Sequence, residues 1–305
     1  MRIEVHNLTR CFGDLRAVDN LSFSFGSGDI FGFVGPNGAG KTTTMRIMAT
    51  LDDPTEGDVT IDSISAVQQP EKARQLIGFV PDTLPIHSDM TAHEYLDFYA
   101  RAYGLRGGRR IDVVFEIEQF CNLMGLRNKL MKALSKGMRQ RLSVARALVN
   151  DPPVLVMDEP AAGLDPHARI ELRELVRQLA ARGKAVLISS HILSELSEMC
   201  TGAVIIEQGR LLRAGLMNEL DGESSLLIIR AEQSQTALHK RLLETPGVLQ
   251  AQVVDGTVQA RVEETLDTGK LLSGLIAAGF TITEFRRRKT HLEDIFMSVT
   301  KGKVQ

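Results

Sequence analysis

Polar and apolar residues alternate cleanly in Leu21-Ser22-Phe23-Ser24-Phe25, and more loosely through Ile3, Val5 and Leu8. A period of two marks strands with one buried face, so residues 2–9 are expected as an edge strand and 21–25 as a second strand, stopped by Gly26-Ser27-Gly28. Between them, Cys11-Phe12-Gly13-Asp14 places an aromatic ring beside a turn. Unbroken apolar runs follow: Ile30-Phe31-Gly32-Phe33-Val34, Leu76-Ile77-Gly78-Phe79-Val80, Val154-Leu155-Val156-Met157, Ala185-Val186-Leu187-Ile188 and Ala203-Val204-Ile205-Ile206. Runs this short and this apolar read as strands covered on both faces. Glu56-Gly57-Asp58 is a turn feeding a further strand through Ile61, and Arg210-Leu211-Leu212 reads as one more.

Helical spacing takes over from about residue 88 to 150. Thr91-Ala92-His93-Glu94 has the form of a capping box, and Tyr95, Tyr99 and Tyr103 then fall on one helical face. Further helical patterns cover 42–48, 111–125, 136–149, 167–181 and 192–200. Strands alternating with helices predict a largely parallel α/β sheet, with 88–150 inserted as a helical subdomain. The expected first domain spans 1–218, followed by a polar linker at 219–224 around Asp221-Gly222-Glu223-Ser224. Residues 225–305 then read strand, helix, strand, an Asp255-Gly256 turn, strand, helix, strand. That order predicts a small α+β ferredoxin-like domain, closed by a last helix near 291–299.

Composition narrows the function classes. A formal net charge of -2 argues against nucleic acid as a partner. Cys11, Cys121 and Cys200 are odd in number and widely spaced, matching no metal motif and pointing to a reducing compartment. The start, Met1-Arg2-Ile3-Glu4, lacks the apolar core of a signal peptide, and no run approaches the roughly 18 apolar residues that cross a bilayer. Work at a membrane would therefore need another chain to span it.

The chemistry concentrates in three places. The stretch Gly35-Pro36-Asn37-Gly38-Ala39-Gly40-Lys41-Thr42-Thr43 lies between an apolar strand and a helix start, the context a phosphate-binding loop needs. Its glycines let backbone N–H groups turn toward phosphate oxygens, and the helix N-terminus adds positive potential. Lys41 is placed to reach the β- and γ-phosphates, and the Thr42 hydroxyl to hold Mg²⁺. At the second place, Met157-Asp158-Glu159 sets two acids at the carboxyl end of a buried strand, where ligands of such sheets bind. Asp158 is expected to hold Mg²⁺ through water and Glu159 to accept the proton of an attacking water. Third, Leu134-Ser135-Lys136-Gly137-Met138 opens a helix with Ser135 as its cap, which by itself is an ordinary helix start.

Taken together, these motifs resemble the ATP-binding subunit of an ABC transporter, whose signature loop usually reads Leu-Ser-Gly-Gly-Gln. Here Ser135 and the second glycine, Gly137, are kept, while Lys136 and Met138 replace the first glycine and the glutamine. The resemblance implies an ATPase that dimerises head to tail around two ATP, as a homodimer or heterodimer, with Ser135 and Gly137 of one subunit closing over the other's nucleotide. It also implies that Phe12 stacks on adenine, that Asp165 in Gly163-Leu164-Asp165-Pro166 links the two sites, and that His191 contacts the γ-phosphate. Asp82 occupies a position where the family usually has a glutamine touching Mg²⁺. It is one methylene shorter and adds a negative charge. The tail, with His291-Leu292-Glu293-Asp294-Ile295-Phe296, is similar to the C-terminal domain of an exporter-like branch. The implied function is ATP hydrolysis coupled to export through a separate integral membrane subunit, with this chain peripheral on the cytoplasmic face. The alternative is an ABC-type ATPase acting on ribosomes, DNA or transcription. Such proteins usually carry two ATPase domains or a long coiled coil, neither of which this sequence has.

Overall fold

A β-hairpin opens the chain, with β1 (Arg2–Phe12) and β2 (Leu15–Gly26) turning through Gly13 at φ 59°. β3 (Ile30–Val34), α1 (Lys41–Met48), β4 (Glu56–Ile61), β5 (Ile64–Ser65), α2 (Pro70–Leu76) and β6 (Ile77–Val80) follow. Three helices come next: α3 (Ala92–Ala102), α4 (Gly107–Phe120) and α5 (Lys136–Leu148). β7 (Val154–Met157), α6 (Pro166–Ala181), β8 (Ala185–Ser189), α7 (Leu193–Met199), β9 (Gly202–Glu207) and β10 (Arg210–Leu216) complete the first part. After α8 (Met217–Asp221) come β11 (Ser224–Ala231), α9 (Gln235–Leu243), β12 (Val248–Val254), β13 (Thr257–Glu263), α10 (Thr268–Ala277) and β14 (Ile282–Arg288). This computed structural model describes residues 1–190, 192–221, 224–263, 265–288 and 296. The expected helix near 291–299 therefore falls almost wholly outside the described residues. Contacts separate a unit covering Met1–Met217 from a second that starts at Asn218.

Two sheets make the first unit. The larger runs β10-β9-β3-β8-β7-β6 and is parallel except for β10, which pairs antiparallel to β9 at one end. Every residue of β3, β7 and β8 is buried, which is why these strands read as unbroken apolar runs. The smaller sheet, β2-β1-β4-β5, is antiparallel throughout. Here the sequence expectation needs correcting: β1 lies inside this sheet, bonded to β2 on one side and β4 on the other. Its alternation is loose because the pairing slips between Val5 and Leu8 and again toward Arg10, and each slip disturbs the period of two.

Both sheets pack on α1. Ile3, Val5 and Phe23 from the small sheet share one core with Phe33 and Val156 from the large one, with Met45 of α1 between them. Aromatic rings bridge the layers, the Phe23 and Phe33 centroids being 5.6 Å apart and those of Phe25 and Phe31 also 5.6 Å. Each such side chain contributes on the order of 1.5–3 kcal/mol by leaving water.

The helical segment is anchored through α5. Arg146 donates from Nη2 to the Phe79 carbonyl of β6 at 2.5 Å, and its guanidinium lies 5.5 Å from the Tyr99 ring centroid. The Thr91–Glu94 capping box forms at the start of α3. The tyrosine stripe, however, does not present one uniform face. Tyr95 is fully buried against Tyr99, and Tyr103 stands exposed beyond the helix end. Glu118 of α4 is buried with the His93 ring nitrogen 2.7 Å and Arg127 Nη2 3.4 Å from its carboxylate oxygens.

In the second unit the strand order is β12-β13-β11-β14, antiparallel throughout. Strands one and two of this unit are thus separated by the third, and the fourth lies on the far side of the first. That is the split βαβ arrangement expected of a ferredoxin-like fold. Leu227, Ile229, Val258 and Ala260 pack beneath Leu238 and Leu242 of α9 and Leu271 and Leu275 of α10. The stretch read as a linker is partly structured, since α8 takes up Met217–Asp221. Met217 follows the strand end directly, and Asn218 and Glu219 continue it as a helical turn, which the polar composition concealed.

Gly78 in β6 lies where a Cβ would meet the Ala147 carbonyl oxygen of α5 at 2.7 Å and a Leu155 methyl carbon at 2.8 Å. Gly78→Ala is therefore expected to destabilise the first unit by roughly 1–3 kcal/mol, the range for overpacking a filled core. Chemical denaturation checks this, and an unchanged unfolding midpoint would contradict it.

Candidate active site

The phosphate-loop candidate begins where β3 ends. Gly35 is so tightly held that a Cβ there would sit 2.5 Å from the Ile206 carbonyl oxygen of β9. The chain then bulges outward, with Pro36, Asn37 and Gly38 exposed, Gly38 at φ 79° and Gly40 at φ 97°. At Gly40 a Cβ would fall 2.4 Å from the Ala17 carbonyl oxygen, so conformation and space both demand glycine. Ala39 is buried, and its amide donates to the Pro36 carbonyl at 3.1 Å, closing the turn. α1 starts at once, and its first-turn N–H groups have no partner within the helix. Thr42 is exposed at this helix start, Thr43 is half-buried, and Thr44 folds its hydroxyl back onto the Gly40 carbonyl at 2.9 Å.

Lys41 turns inward. Only 7% exposed, it donates from Nζ to the Gly35 carbonyl at 2.7 Å and the Pro36 carbonyl at 3.2 Å. Burial pulls the ammonium below the ordinary lysine value, while the negative charges of Glu159 and Asp158 act in the opposite direction. Lys41 and both acids therefore share one electrostatic neighbourhood.

Asp158 and Glu159 follow β7. Asp158 is buried, and its amide extends the sheet by donating to the Val80 carbonyl of β6 at 2.8 Å. Its carboxylate accepts a hydrogen bond from the Ser189 hydroxyl at 2.8 Å, and the same hydroxyl oxygen accepts from the Glu159 amide at 2.8 Å. Glu159 has φ 46°, in the left-handed region that residues with side chains rarely adopt. Nothing in the sequence singled out Ser189, whose run Leu-Ile-Ser-Ser reads as a strand end. A polar residue closing an otherwise apolar buried strand was the available signal.

The other predicted residues are placed as follows. Phe12 ends β1 and is 49% exposed, with the Arg10 guanidinium 4.7 Å from its ring centroid. Asp82 is exposed in the bend after β6. Ser135 caps α5, accepting from the Met138 amide at 3.3 Å, and Asp165 caps α6, accepting from the Ala168 amide at 2.9 Å. Both residues thus already hold a helix start. The two starts are closely packed: a Cβ at Gly137 would lie 2.8 Å from the Ala168 methyl, and one at Gly163 would lie 2.5 Å from Lys136 Nζ. His191 lies outside the described residues.

The donors expected for a metal are the Thr42 hydroxyl and the Asp158 and Asp82 carboxylates, all hard oxygens. Among the described residues no three His, Cys, Asp or Glu side chains converge to cage an ion alone. Such a sparse oxygen set suits Mg²⁺ held jointly with phosphate oxygens. Among the same residues no helix is long and apolar enough to cross a membrane.

Known proteins resemble this chain over nearly its whole length. The sequence profile of the family described as "ABC transporter" matches residues 18–162, and that of "ATP-binding protein DrrA1-3-like, C-terminal domain" matches 221–300. The chain is 32% identical over 299 residues to Nod factor export ATP-binding protein I of Cupriavidus metallidurans, covering 98% of this chain and 97% of the relative. It is also 32% identical over 302 residues to the protein of that name from Rhizobium meliloti, covering 98% and 88%. Among solved structures, an ATP-binding subunit of an ABC transporter superposes with a TM-score of 0.65 at 28% identity over 72% of this chain and 92% of that one. A dimeric ATP-binding cassette in a post-hydrolysis state with ADP and Pi gives 0.64 at 26% identity over 71% and 99%. Relatives matched over nearly the whole chain, with a glycine loop after one buried strand and an acid pair after another in the same sheet, identify the chain: it belongs to the ABC transporter family as an ATP-binding, ATP-hydrolysing subunit.

Proposed function

We propose that this subunit drives export through a separate integral membrane protein, working as a homodimer or heterodimer on the cytoplasmic face. The observation that carries the enzymatic part is the gathering of Lys41, Asp158 and Glu159 at the carboxyl ends of β3 and β7, with β8 between the two strands. Export is supported by the names of relatives matched over nearly the whole chain. Dimerisation is supported by the likeness to a dimeric cassette.

In this reading the glycine loop from Gly35 to Gly40 wraps the phosphates with backbone N–H groups, and Lys41 exchanges its two carbonyl partners for phosphate oxygens. A buried ammonium that can move between two sets of acceptors is well suited to the negative charge of the transition state. Thr42 and Asp158 hold Mg²⁺, assisted by Asp82, and the ion supplies charge neutralisation on the phosphates. Glu159 takes a proton from water as the water oxygen bonds to the γ-phosphorus. The bond from that phosphorus to the bridging oxygen breaks, and ADP leaves with the electron pair. Phe12 offers its ring to adenine. Ser135, Gly137 and Asp165 sit at two packed helix starts, where one subunit can close over the other's nucleotide, and His191 senses the γ-phosphate.

Three outcomes are expected. Glu159→Gln lowers ATP turnover by 10²-fold or more, in line with losing a general base, while nucleotide still binds and the dimer accumulates by light scattering. Turnover at the wild-type rate would remove Glu159 from that role. Phe12→Ala weakens ATP binding by roughly 2–10-fold, the scale of one aromatic stack, and Phe12→Trp does not. Equal affinities measured with a fluorescent nucleotide would place adenine elsewhere. Finally, tagged protein purified from gently lysed cells is expected with the membranes, beside a polytopic chain released only by detergent. Recovery with ribosomes or DNA would instead favour the non-transport alternative.

A further inference from the structure

We propose that Ser189 is a positioning residue for ATP hydrolysis, its one hydroxyl holding the Asp158 carboxylate and the Glu159 backbone in a single arrangement. The inference rests on the reading of Glu159 as the base. It goes beyond that reading by assigning the group that keeps the base in place.

Strand register creates the opportunity. Met157 of β7 pairs with Ile188 of β8, so the next residues on each strand, Asp158 and Ser189, emerge side by side. Ser189 also pairs with Phe33 of β3, one residue before the strand gives way to the phosphate loop. It therefore lies between the strand that delivers Lys41 and the strand that delivers the acids.

The chemistry makes the position unusual. Ser189 is fully buried at the end of Ala185-Val186-Leu187-Ile188, where a hydroxyl is costly unless its hydrogen bonds are made. Here both kinds are made: the proton goes to Asp158 Oδ1, and a lone pair receives the Glu159 N–H, each at 2.8 Å. Glu159, which donates the second bond, has φ 46°, a strained conformation that persists only when its surroundings over-determine it. Ser189 is one of those surroundings. Removing its hydroxyl frees the Asp158 carboxylate to rotate and releases the Glu159 amide, so the backbone that carries the base can relax.

Displacement of a reacting group by about 1 Å costs on the order of 10²-fold in rate, so the effect belongs in kcat and not in nucleotide affinity. The test uses the full chain with a shape-matched pair, Ser189→Thr and Ser189→Val, which differ in the hydroxyl alone. Ser189→Thr is expected to keep kcat within about threefold of wild type, and Ser189→Val to lose roughly 10–100-fold. KM for ATP and the affinity for a fluorescent nucleotide stay unchanged in both. Ser189→Ala, which adds no atom, is expected to match Ser189→Val and settles the matter should the extra methyl disturb packing. Combining Ser189→Val with Glu159→Gln gives no further loss, because the two act as a unit. Equal kcat for Ser189→Val and Ser189→Thr overturns the proposal, as does a loss confined to nucleotide affinity. If Glu159→Gln itself turns over normally, the base assignment fails first. If Glu159→Gln is inactive and Ser189→Val is not, only the role of Ser189 fails.

Discussion

At Gly40 the backbone crosses Ala17 so closely that no side chain fits, and it does so in a left-handed conformation. Much of the first unit depends on that crossing. It lets α1 begin directly after the loop, which puts Met45, Ile47 and Met48 between the two sheets and Lys41 at the helix start. The two sheets meet through this helix and also directly, through the Phe23–Phe33 and Phe25–Phe31 ring pairs. The same few residues thus join two layers and shape the proposed phosphate cradle, so packing and binding become one design problem here.

Chemistry is gathered at strand ends for a related reason. β3, β7 and β8 are buried throughout, so their polar work is confined to the residues just beyond them. Lys41 is reached through the loop after β3, the acids follow β7, and Ser189 ends β8. A parallel register aligns these ends on one side of the sheet. Lys41 then experiences burial and two carboxylates at once, with opposing effects on its proton affinity.

Burial on both faces also explains what was legible in the sequence. Strands packed on two sides appear as plain apolar runs, and the loop and acid pair announce themselves by residue type. The ferredoxin-like order of the tail was readable for a similar reason, because its helices and strands alternate with distinct periods. Pairing partners were not readable. β1 reads as an edge because slipped register blurs its alternation, yet it is bonded on both sides. Nor does sequence reveal that four strands form a separate antiparallel sheet, since that grouping depends on contacts distant along the chain. Tyr95, Tyr99 and Tyr103 share a helical face by spacing, but depth varies along the helix and only the burial pattern separates core from surface. At the site, Ser189 escaped notice because its one signal, a polar residue closing a buried apolar strand, reads equally well as an ordinary strand end. Its importance comes from what the neighbouring strand places against it.

The left-handed backbone at Glu159 bears on how such a protein changes over generations. Glycine or asparagine would occupy that conformation at less cost, so selection for folding alone would steadily favour losing the acid. On the role proposed for Glu159, folding and turnover therefore pull this one position in opposite directions.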